Sequence, residues 1–591
     1  MALFTPSESP AVVVREIDQT GGVPNVQTST GAIVGNFRWG PVEQRMRISN
    51  EQGLVNTFAT PDTVNSVDFH SASYFLRYSN ALQVVRMVDS DAANAVATTG
   101  QTSSYGPGAY TNPVVKNSTN FTSQLSALDS DNHTFIARYP GALGNSLRVS
   151  ICPPSVNDSA FTNWTYRGDF NSAPRTSGYD NVRNASNTEV HVAVVDVNGE
   201  FTGTAGTVLE RFPFLSVASN SKNVDGTTNY IKDVINNRSE YVYMVGFDSD
   251  FAANNAGTPL TPGTAKTFLG TGLEAVVNYS FDSGVNSGSL QNPQYLNGFD
   301  LFEDQEVVEI DFLIAPGMIT RAEQTTIVND LISTARTVRK DCIVVTSGAR
   351  NDIVNQTNET TITNNLVATI GGFTNTSYCV VDGNYLKVYD KYNDQYIEIP
   401  AASSTAGIMA ETDRVSAPWF SPAGTRRGQY VGVTAINYNP NKANRDTLYK
   451  AGVNPIVNLS GTGIMLYGDR TRLDRPSAFD RINVRRLFLV LERAIARAAK
   501  NVLFEFNDEF TRAEFVNVIE PVLRDVKGRR GITDFRIVAD ETVNTPEVID
   551  RNEFIANIFI KPARSINYVT LNFVAVRSGV DFEEVVGSSG V

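Results

Sequence analysis

The chain has 591 residues, of which 41% are hydrophobic and 10% aromatic, and its formal net charge is -13. This length suits about four domains of ordinary size, and the composition is normal for globular protein with large buried cores. The acidic balance argues against nucleic-acid binding over a whole domain, which usually needs a broadly basic surface.

The cysteines and the N-terminal sequence indicate the cellular compartment in which the protein is made. Three widely spaced cysteines, Cys152, Cys342 and Cys379, do not make a disulfide framework. The opening MALFTPSESP lacks the basic and apolar regions of a signal peptide, and no uncharged apolar run approaches the roughly 18 residues of a membrane helix. The sequence therefore predicts a soluble protein made in the cytoplasm, without membrane insertion.

The first predicted element is a short strand in AVVVREID, residues 11–18, between a Pro/Ser segment and a Gly/Pro loop. Its strand residues are Val12, Val13, Val14, Glu16 and Ile17. With no hairpin partner nearby, it is either an edge strand of the chain's own sheet or an arm that adds to the sheet of another subunit. Gly21, Gly22 and Pro24 follow it and are candidate hinges.

The next segments predict an α/β unit and then a β-rich insertion. Strands are expected within residues 30–41 and 80–89, with a short helix between them. Residues 97–188 are rich in Gly, Ser, Thr and Asn and show short strands without helical periodicity. Regular strand structure resumes at 189–201, where Asn198-Gly199 predicts a hairpin, and 252–300 is expected to be largely loop.

A β-α-β unit is predicted over residues 307–347. Thr320 and Glu323 have capping-box spacing at the start of its helix. One apolar helix face is expected to contain Val328, Leu331, Ala335 and Val338. Two strands joined through a helix favour a parallel pair.

The last third predicts two helices followed by strands. In residues 481–500 an apolar stripe, Val484, Leu487, Leu491, Ile495 and Ala498, lies opposite a cationic face. The cationic residues are Arg486, Arg493, Arg497 and Lys500.

The second helix of this region is expected to begin with a capping box at Thr511 and Glu514. It should bury Phe515, Ile519, Val522 and Val526. Strands are then expected in DFRIVAD, FIANIFI and YVTLNFVAV, the last with Tyr568, Leu571, Phe573 and Val574, before an acidic tail.

Motifs of known chemistry do not emerge from the sequence. The three histidines, His70, His133 and His191, show no metal-ligand spacing, and GxSxG and GxxxxGK[ST] motifs do not occur. In the predicted β-α-β unit the first turn has a single glycine, Gly317, where a dinucleotide site needs three. The residues therefore predict a non-enzyme that binds no cofactor or metal.

Several stretches in family order resemble the tail sheath proteins of contractile-tailed bacteriophages, in particular those of the T-even type. SPAVVVREID resembles the family's opening strand, although Ala11 replaces the usual Gly, and ARYPGALGNSLRVSI is similar to its Tyr-Pro-Gly segment. HVAVVDVNGEFTGTAGTVLERFPFLS is the most specific match to the T-even type. IPAASSTAGIMAETD departs from the family form, whereas INVRRLFLVLERAI and FEFND strongly resemble its C-terminal block.

The resemblance implies an α/β and α+β multidomain fold with arms that exchange strands between subunits. It implies an α/β C-terminal core domain, an α/β middle shell domain and a β-rich outer insertion domain. The expected limits are 1–25 for the N-terminal arm, 26–96 and 189–455 for the middle domain, 97–188 for the insertion, 456–565 for the core domain and 566–591 for the C-terminal strand and arm.

The resemblance also implies a mechanical function. Such subunits form stacked six-fold rings around a tail tube and shorten to drive the tube through the host envelope. The implied partners are further copies of the chain, the tube protein, and baseplate and tail terminator proteins. The implied location is the virion tail, after assembly in the host cytoplasm.

Three roles are open for the cationic helix face. It can point at the tube or an acidic neighbour, it can be a solvated face, or some of its arginines, especially Arg485 and Arg486, can pair within the chain. Pro562, within the 561–565 linker before the last strand, is a further hinge candidate.

The competing interpretations are the sheath of a related injection machine (tailocin, extracellular or secretion type), a nucleotide-binding α/β enzyme, and a nucleic-acid binder using 481–500. The missing phosphate loop weighs against the enzyme. The net charge and the lack of an aromatic platform weigh against direct nucleic-acid binding.

Overall fold

The computed structural model describes residues 29–98, 113–130, 133–269 and 275–565. The predicted N-terminal strand at 12–17, the glycines and proline at 21–24, and the predicted last strand at 568–574 lie outside these ranges.

Strands β1 to β23, in chain order, are Gly31–Gly35, Arg45–Ile48, Leu82–Arg86, Val96–Thr98, His133–Ala137, Leu147–Cys152, Ala185–Ser186, Glu189–Asp196, Thr207–Ser216, Val242–Met244, Lys266–Thr267, Val277–Ser280, Phe312–Ile314, Ile343–Ser347, Cys379–Asp382, Tyr385–Asp390, Gln395–Pro400, Ala435–Ile436, Val453–Asn454, Ile456–Leu459, Gly463–Leu466, Ile532–Val538 and Asn557–Pro562. Helices α1 to α16 are Glu51–Phe58, Ser66–Leu76, Ser118–Ser130, Ser159–Asn163, Gly178–Asn181, Ile231–Arg238, Ser249–Ala253, Asn292–Asp300, Arg321–Ser333, Arg350–Ile353, Glu359–Gly371, Ala402–Val415, Lys442–Lys450, Ile482–Ala499, Glu509–Gly528 and Pro546–Asp550.

The described residues divide into two compact units. The main unit contains residues 29–418 and 422–494, apart from the gaps given above. The C-terminal unit contains residues 419–421 and 495–565. The expected start of a C-terminal domain at 456 is therefore early, because β20, β21 and the first part of α14 belong to the main unit.

A seven-stranded sheet forms the centre of the main unit, in the order β19-β15-β14-β13-β1-β3-β2. Every neighbouring pair is parallel except β2 with β3. Side chains alternate between its faces, so Ala32 and Val34 pack with helices α8, α9 and α11, whereas Ile33 packs with α1, α2 and α12. The sheet is therefore covered by helices on both faces, as parallel sheets usually are.

The predicted β-α-β unit is confirmed by this sheet. Strands β13 and β14 are parallel, with Ile314 opposite Val345. Thr320 and Glu323 form the capping box of α9, each side chain bonding the other's backbone N–H. Val328, Leu331 and Ala335 are buried, but Val338 is 52% exposed, because the helix changes to a π-helical turn at 334–339 and rotates that side chain outward.

The β-rich part of the main unit is larger than the sequence predicts. An antiparallel sheet in the order β12-β6-β8-β9 pairs β8 with β6 across the expected boundary at 188 and 189. Val190, Val192 and Val194 share one core with Val149 and Tyr279. The β-rich part therefore continues past residue 188 to β12, because β8 supplies the centre of that core.

The loop between β8 and β9 is organised by one buried carboxylate. Asp196 accepts hydrogen bonds from the backbone N–H groups of Gly199, Glu200, Phe201 and Thr202 at 2.9–3.0 Å. The two strands pair as the Asn198-Gly199 signal predicts, but through a longer loop, residues 197–206, than a two-residue turn. Burial opposes ionisation, but the hydrogen bonds outweigh it and lower the pKa of Asp196.

Two helix starts are set by local signals. The described residues of 252–300 are largely loop, as predicted, but 292–300 form helix α8, because Gln291 and Gln294 make a capping box and a proline occupies the first turn. Helix α15 begins at Glu509, two residues before the predicted cap, because the Asp508 carboxylate accepts from the backbone N–H of Thr511 at 2.8 Å.

A buried polar network lies where β14 and β15 end. Asp382 accepts hydrogen bonds from the hydroxyls of Ser347 at 2.7 Å and Thr405 at 3.0 Å. Thr405 also bonds the hydroxyl of Tyr430 at 2.8 Å. Asp382, Ser347 and Thr405 are at most 1% exposed, so the network is closed to substrates and serves packing. Burial raises the pKa of Asp382 to about 7, against the lowering effect of its hydrogen bonds.

The Asp382→Asn variant should remove part of the pH dependence of stability. The folded chain keeps the Asp382 proton up to about pH 7, whereas the unfolded carboxyl loses it near 3.8. Unfolding therefore releases a proton between these values, and the contribution of Asp382 to stability falls as pH rises through that window. The free energy of unfolding, measured with denaturant between about pH 4 and pH 7, should decline less for the variant than for the natural chain.

Asp446 is exposed and offers the control variant Asp446→Asn, whose free energy of unfolding should change with pH as it does in the natural chain. If Asp382→Asn showed the same pH dependence as the natural chain, the raised pKa of Asp382 would be contradicted.

Candidate functional site

The apolar stripe predicted for the basic helix α14 is largely confirmed. Val484, Leu487 and Leu491 are at most 2% exposed. The opposite side is not solvated over the first half of the helix, because Arg485 and Arg486 are only 6% and 4% exposed. The part of α14 in the main unit is therefore covered on more than one face.

Arg486 forms an ion pair inside the main unit. Its guanidinium donates to both carboxylate oxygens of Asp413 on α12, at 2.7 and 2.5 Å, and to the carbonyl oxygen of Met409 at 3.0 Å. The two charged side chains are 4% and 5% exposed. This two-point geometry is the strongest arrangement of a guanidinium and a carboxylate.

Arg493 forms a second internal pair at the start of the central strands. It donates to Asp311 at 2.7 Å and to the carbonyl oxygens of Ile310 and Asp341 at 3.1 and 2.6 Å. These acceptors immediately precede β13 and β14, where strand ends leave carbonyl groups to be satisfied. Burial lowers the pKa of Arg493, but the facing carboxylate outweighs it and raises the pKa, so the group stays charged.

These contacts correct the expected role of half of the cationic face. Arg486 and Arg493 face their own chain and do not point at a tube or a neighbour, because buried acceptors of the main unit hold them. The alternative of an internal ion pair is confirmed for Arg486. Arg485 instead stacks its guanidinium over the rings of Tyr378 and Phe479, each at 4.3 Å.

The other two residues of the cationic face differ in exposure. Arg497 is half-buried and Lys500 is exposed. Of the arm and hinge candidates, Pro562 is described and is the last residue of β23, opposite Ile532.

The C-terminal unit exposes a run of apolar side chains that the sequence analysis did not single out. The exposed fractions of Leu503, Phe504, Phe506 and Phe510 are 62%, 105%, 84% and 76%. Phe504 also has a positive φ of 71°, which is unusual for a bulky residue. The signal in the sequence was the density of aromatic residues in LFEFNDEF, directly after the basic helix.

The described residues contain neither a metal-binding cluster nor a membrane-spanning helix. Across the described ranges no group of three or more His, Cys, Asp or Glu side chains could hold a metal ion. No described helix is both long and apolar enough to cross a membrane.

Comparison with known proteins gives matches over nearly the whole chain. Residues 288–472 match the phage tail sheath protein central domain, and residues 474–575 match the phage tail sheath C-terminal domain. The chain is 32% identical to the tail sheath protein of Vibrio phage KVP40, over 98% of this chain and 99% of that protein. It is 31% identical to the tail sheath protein of Enterobacteria phage T4, over 98% and 99%.

A solved structure supports the same fold. The sheath tail protein of Listeria innocua aligns with a TM-score of 0.55 at 12% identity, over 92% of this chain and 94% of that chain. Mixed α/β multidomain architecture is thus common to both. Because relatives more than 30% identical span the chain, it belongs to the family of phage tail sheath proteins, which are structural subunits of a contractile tail and not enzymes.

Proposed function

We propose that the chain polymerises as stacked six-fold rings around a tail tube, and that shortening of this sheath drives the tube through the host envelope. The structural observation that carries the proposal is the exposed apolar run at Leu503, Phe504, Phe506 and Phe510. Contiguous exposed apolar side chains of this size mark protein–protein contacts, since leaving them in water is unfavourable. The length of the match to phage relatives favours a phage sheath over the related injection machines.

Strand exchange between subunits accounts for a second feature of the C-terminal unit. Strands β22 and β23 form a two-stranded antiparallel sheet among the described residues. A two-stranded sheet is marginal in water and leaves two outer edges that can pair with further strands. The strands predicted at 12–17 and 568–574 are the proposed additions, supplied by neighbouring subunits, with Gly21, Gly22, Pro24 and Pro562 as hinges.

Each part of the chain has a proposed role in the sheath. The C-terminal unit would lie nearest the tube and join the arms, and the helix-covered sheet would form the middle shell. The β-rich part, from about β4 to β12, would face outward. Baseplate and tail terminator proteins would bind the ends of the polymer, and assembly would take place in the host cytoplasm.

The remaining cations give the sheath a contact that can be released. Lys500, together with Arg497, would face the tube or an acidic neighbour. An exposed ion pair contributes about 0–1 kcal/mol and weakens with salt. Repeated over many subunits, such pairs can align a polymer and still let it slide.

Deletion of residues 1–20 should abolish ring stacking and leave the subunit folded. The deletion removes the proposed N-terminal strand but none of the described residues. Negative-stain electron microscopy of the purified chain, alone and with tubes, measures stacking, and circular dichroism with thermal unfolding measures folding. Deletion of residues 582–591, beyond the predicted last strand, is the control and should assemble normally. Normal tubes from the 1–20 deletion would refute the arm.

Charge reversal at Lys500 should weaken sheath assembly on tubes. Lys500→Glu replaces an attraction with a repulsion, and its effect should shrink as salt rises from low to moderate concentration. Lys442→Glu, at an exposed lysine of the main unit, is the matched control. If both variants assembled on tubes like the natural chain at every salt concentration, the contact would not exist.

A further inference from the structure

A small cavity in the β-rich region is lined by several hydrogen-bond donors, not all of which have an acceptor among the described residues. It has a volume of about 190 Å3 and lies between the residues before β2, the start of α3, and strands β5 and β10. Its polar lining comes from Gln44, Asn117, Ser118, Arg138, Tyr139 and Tyr243. All of them belong to the main unit.

Tyr243 supplies the first donor. Its side chain is 1% exposed, and among the described residues its hydroxyl has no hydrogen-bond partner. The ring is fixed, because it stacks on Phe121 with a centroid distance of 4.1 Å. A buried hydroxyl without a partner costs free energy that a bound acceptor would recover.

The start of helix α3 supplies further donors. The carboxamide oxygen of Asn117 accepts from the backbone N–H of Asn120 at 3.0 Å. The N–H groups of Ser118 and Thr119, in the first turn of this 13-residue helix, have no acceptor within the helix. They carry the positive end of the helix dipole, and Ser118 lines the cavity.

Arg138 contributes a positive charge to the lining of the cavity. Its guanidinium lies over the ring of Tyr243, 4.5 Å from the centroid, and donates once to the carbonyl oxygen of Ser239. A guanidinium has five N–H donors, so this contact leaves donors for a ligand.

A second cation, Arg86, contacts residues next to the cavity lining and forms no ion pair in the described part of the chain. Arg86 is 1% exposed and donates to the carbonyl oxygens of Gly40 and Pro140, each at 2.7 Å, and of Phe37 at 2.8 Å. Gly40 and Pro140 adjoin two lining residues, Pro41 and Tyr139. Burial lowers the pKa of Arg86 to about 9, so it remains charged at neutral pH.

The nearest carboxylates have contacts of their own. Glu43, beside the cavity, pairs with Lys116. Glu210 interacts with Arg138 electrostatically, but its oxygens accept from the hydroxyl of Ser239 and the N–H of Glu240.

We propose that this cavity binds a small oxyanion, held by Arg138, the hydroxyl of Tyr243 and the first turn of α3. The oxyanion is either a free ion such as phosphate or a carboxylate side chain of a second copy of this chain. Both present oxygen acceptors with negative charge, which is the chemistry these donors match.

Titration of the full-length chain with inorganic phosphate at constant ionic strength tests the site, by calorimetry and by thermal unfolding. Phosphate should bind the natural chain and raise its unfolding temperature. Arg138→Gln should weaken phosphate binding about tenfold, since it removes a charged donor. Arg148→Gln, at an arginine on β6 that bonds Ser280, should bind like the natural chain.

Tyr243→Phe separates a ligand role from a packing role. Without phosphate this variant should be at least as stable as the natural chain, because it removes an unpartnered buried hydroxyl. With phosphate it should gain less stability than the natural chain. If phosphate had no effect, or acted equally on Arg138→Gln and Arg148→Gln, the site would be refuted.

Assembly in phosphate distinguishes the two sources of the oxyanion. Phosphate binding that depends on Arg138 and leaves assembly unchanged identifies a free ion. If phosphate binding depends on Arg138 and also slows sheath assembly, phosphate competes with a carboxylate side chain of a second copy for the cavity.

Discussion

The burial of positive charge inside the main unit is the constraint on which its structure depends. A guanidinium removed from water is tolerated only where acceptors surround it. Arg486 and Arg493 meet carboxylates, whereas Arg86 meets backbone carbonyl groups. Arg339, also fully buried, meets both kinds of acceptor, at Asp341 and at Phe302 and Val308. Each of these arginines joins segments far apart in the chain at one fixed geometry.

This constraint changes where assembly contacts are to be sought. Arg485, Arg486 and Arg493 of α14 contact other residues of the main unit, so they are not available to bind a tube or a neighbour. Among the described residues, the C-terminal unit exposes Phe504, Phe506 and Phe510, and its strands β22 and β23 form a sheet of two strands. A main unit held by buried ion pairs and a C-terminal unit with exposed apolar side chains are both compatible with the proposed polymer.

Local patterns in the sequence predicted much of this fold. The capping box at Thr320, the parallel pair of β13 and β14, and the apolar stripe of α14 all depend on short-range spacing. Long-range partners could not be predicted in the same way. Asp311 is 182 positions from Arg493. An amphipathic pattern assumes that one helix face is solvated, whereas the first half of α14 buries Arg485 and Arg486 as well as its apolar stripe. The exposed fractions of the phenylalanines likewise depend on tertiary contacts.

A double-mutant cycle on Arg486 and Asp413 tests the central claim most directly. The free energy of unfolding would be measured for Arg486→Met, Asp413→Asn and the double variant. An internal pair predicts that each single change costs about 3–5 kcal/mol, because it leaves a buried charge unpaired, and that the double variant costs less than the sum. Single losses below about 1 kcal/mol, as for exposed pairs, would contradict the account and return this arginine to the assembly surface.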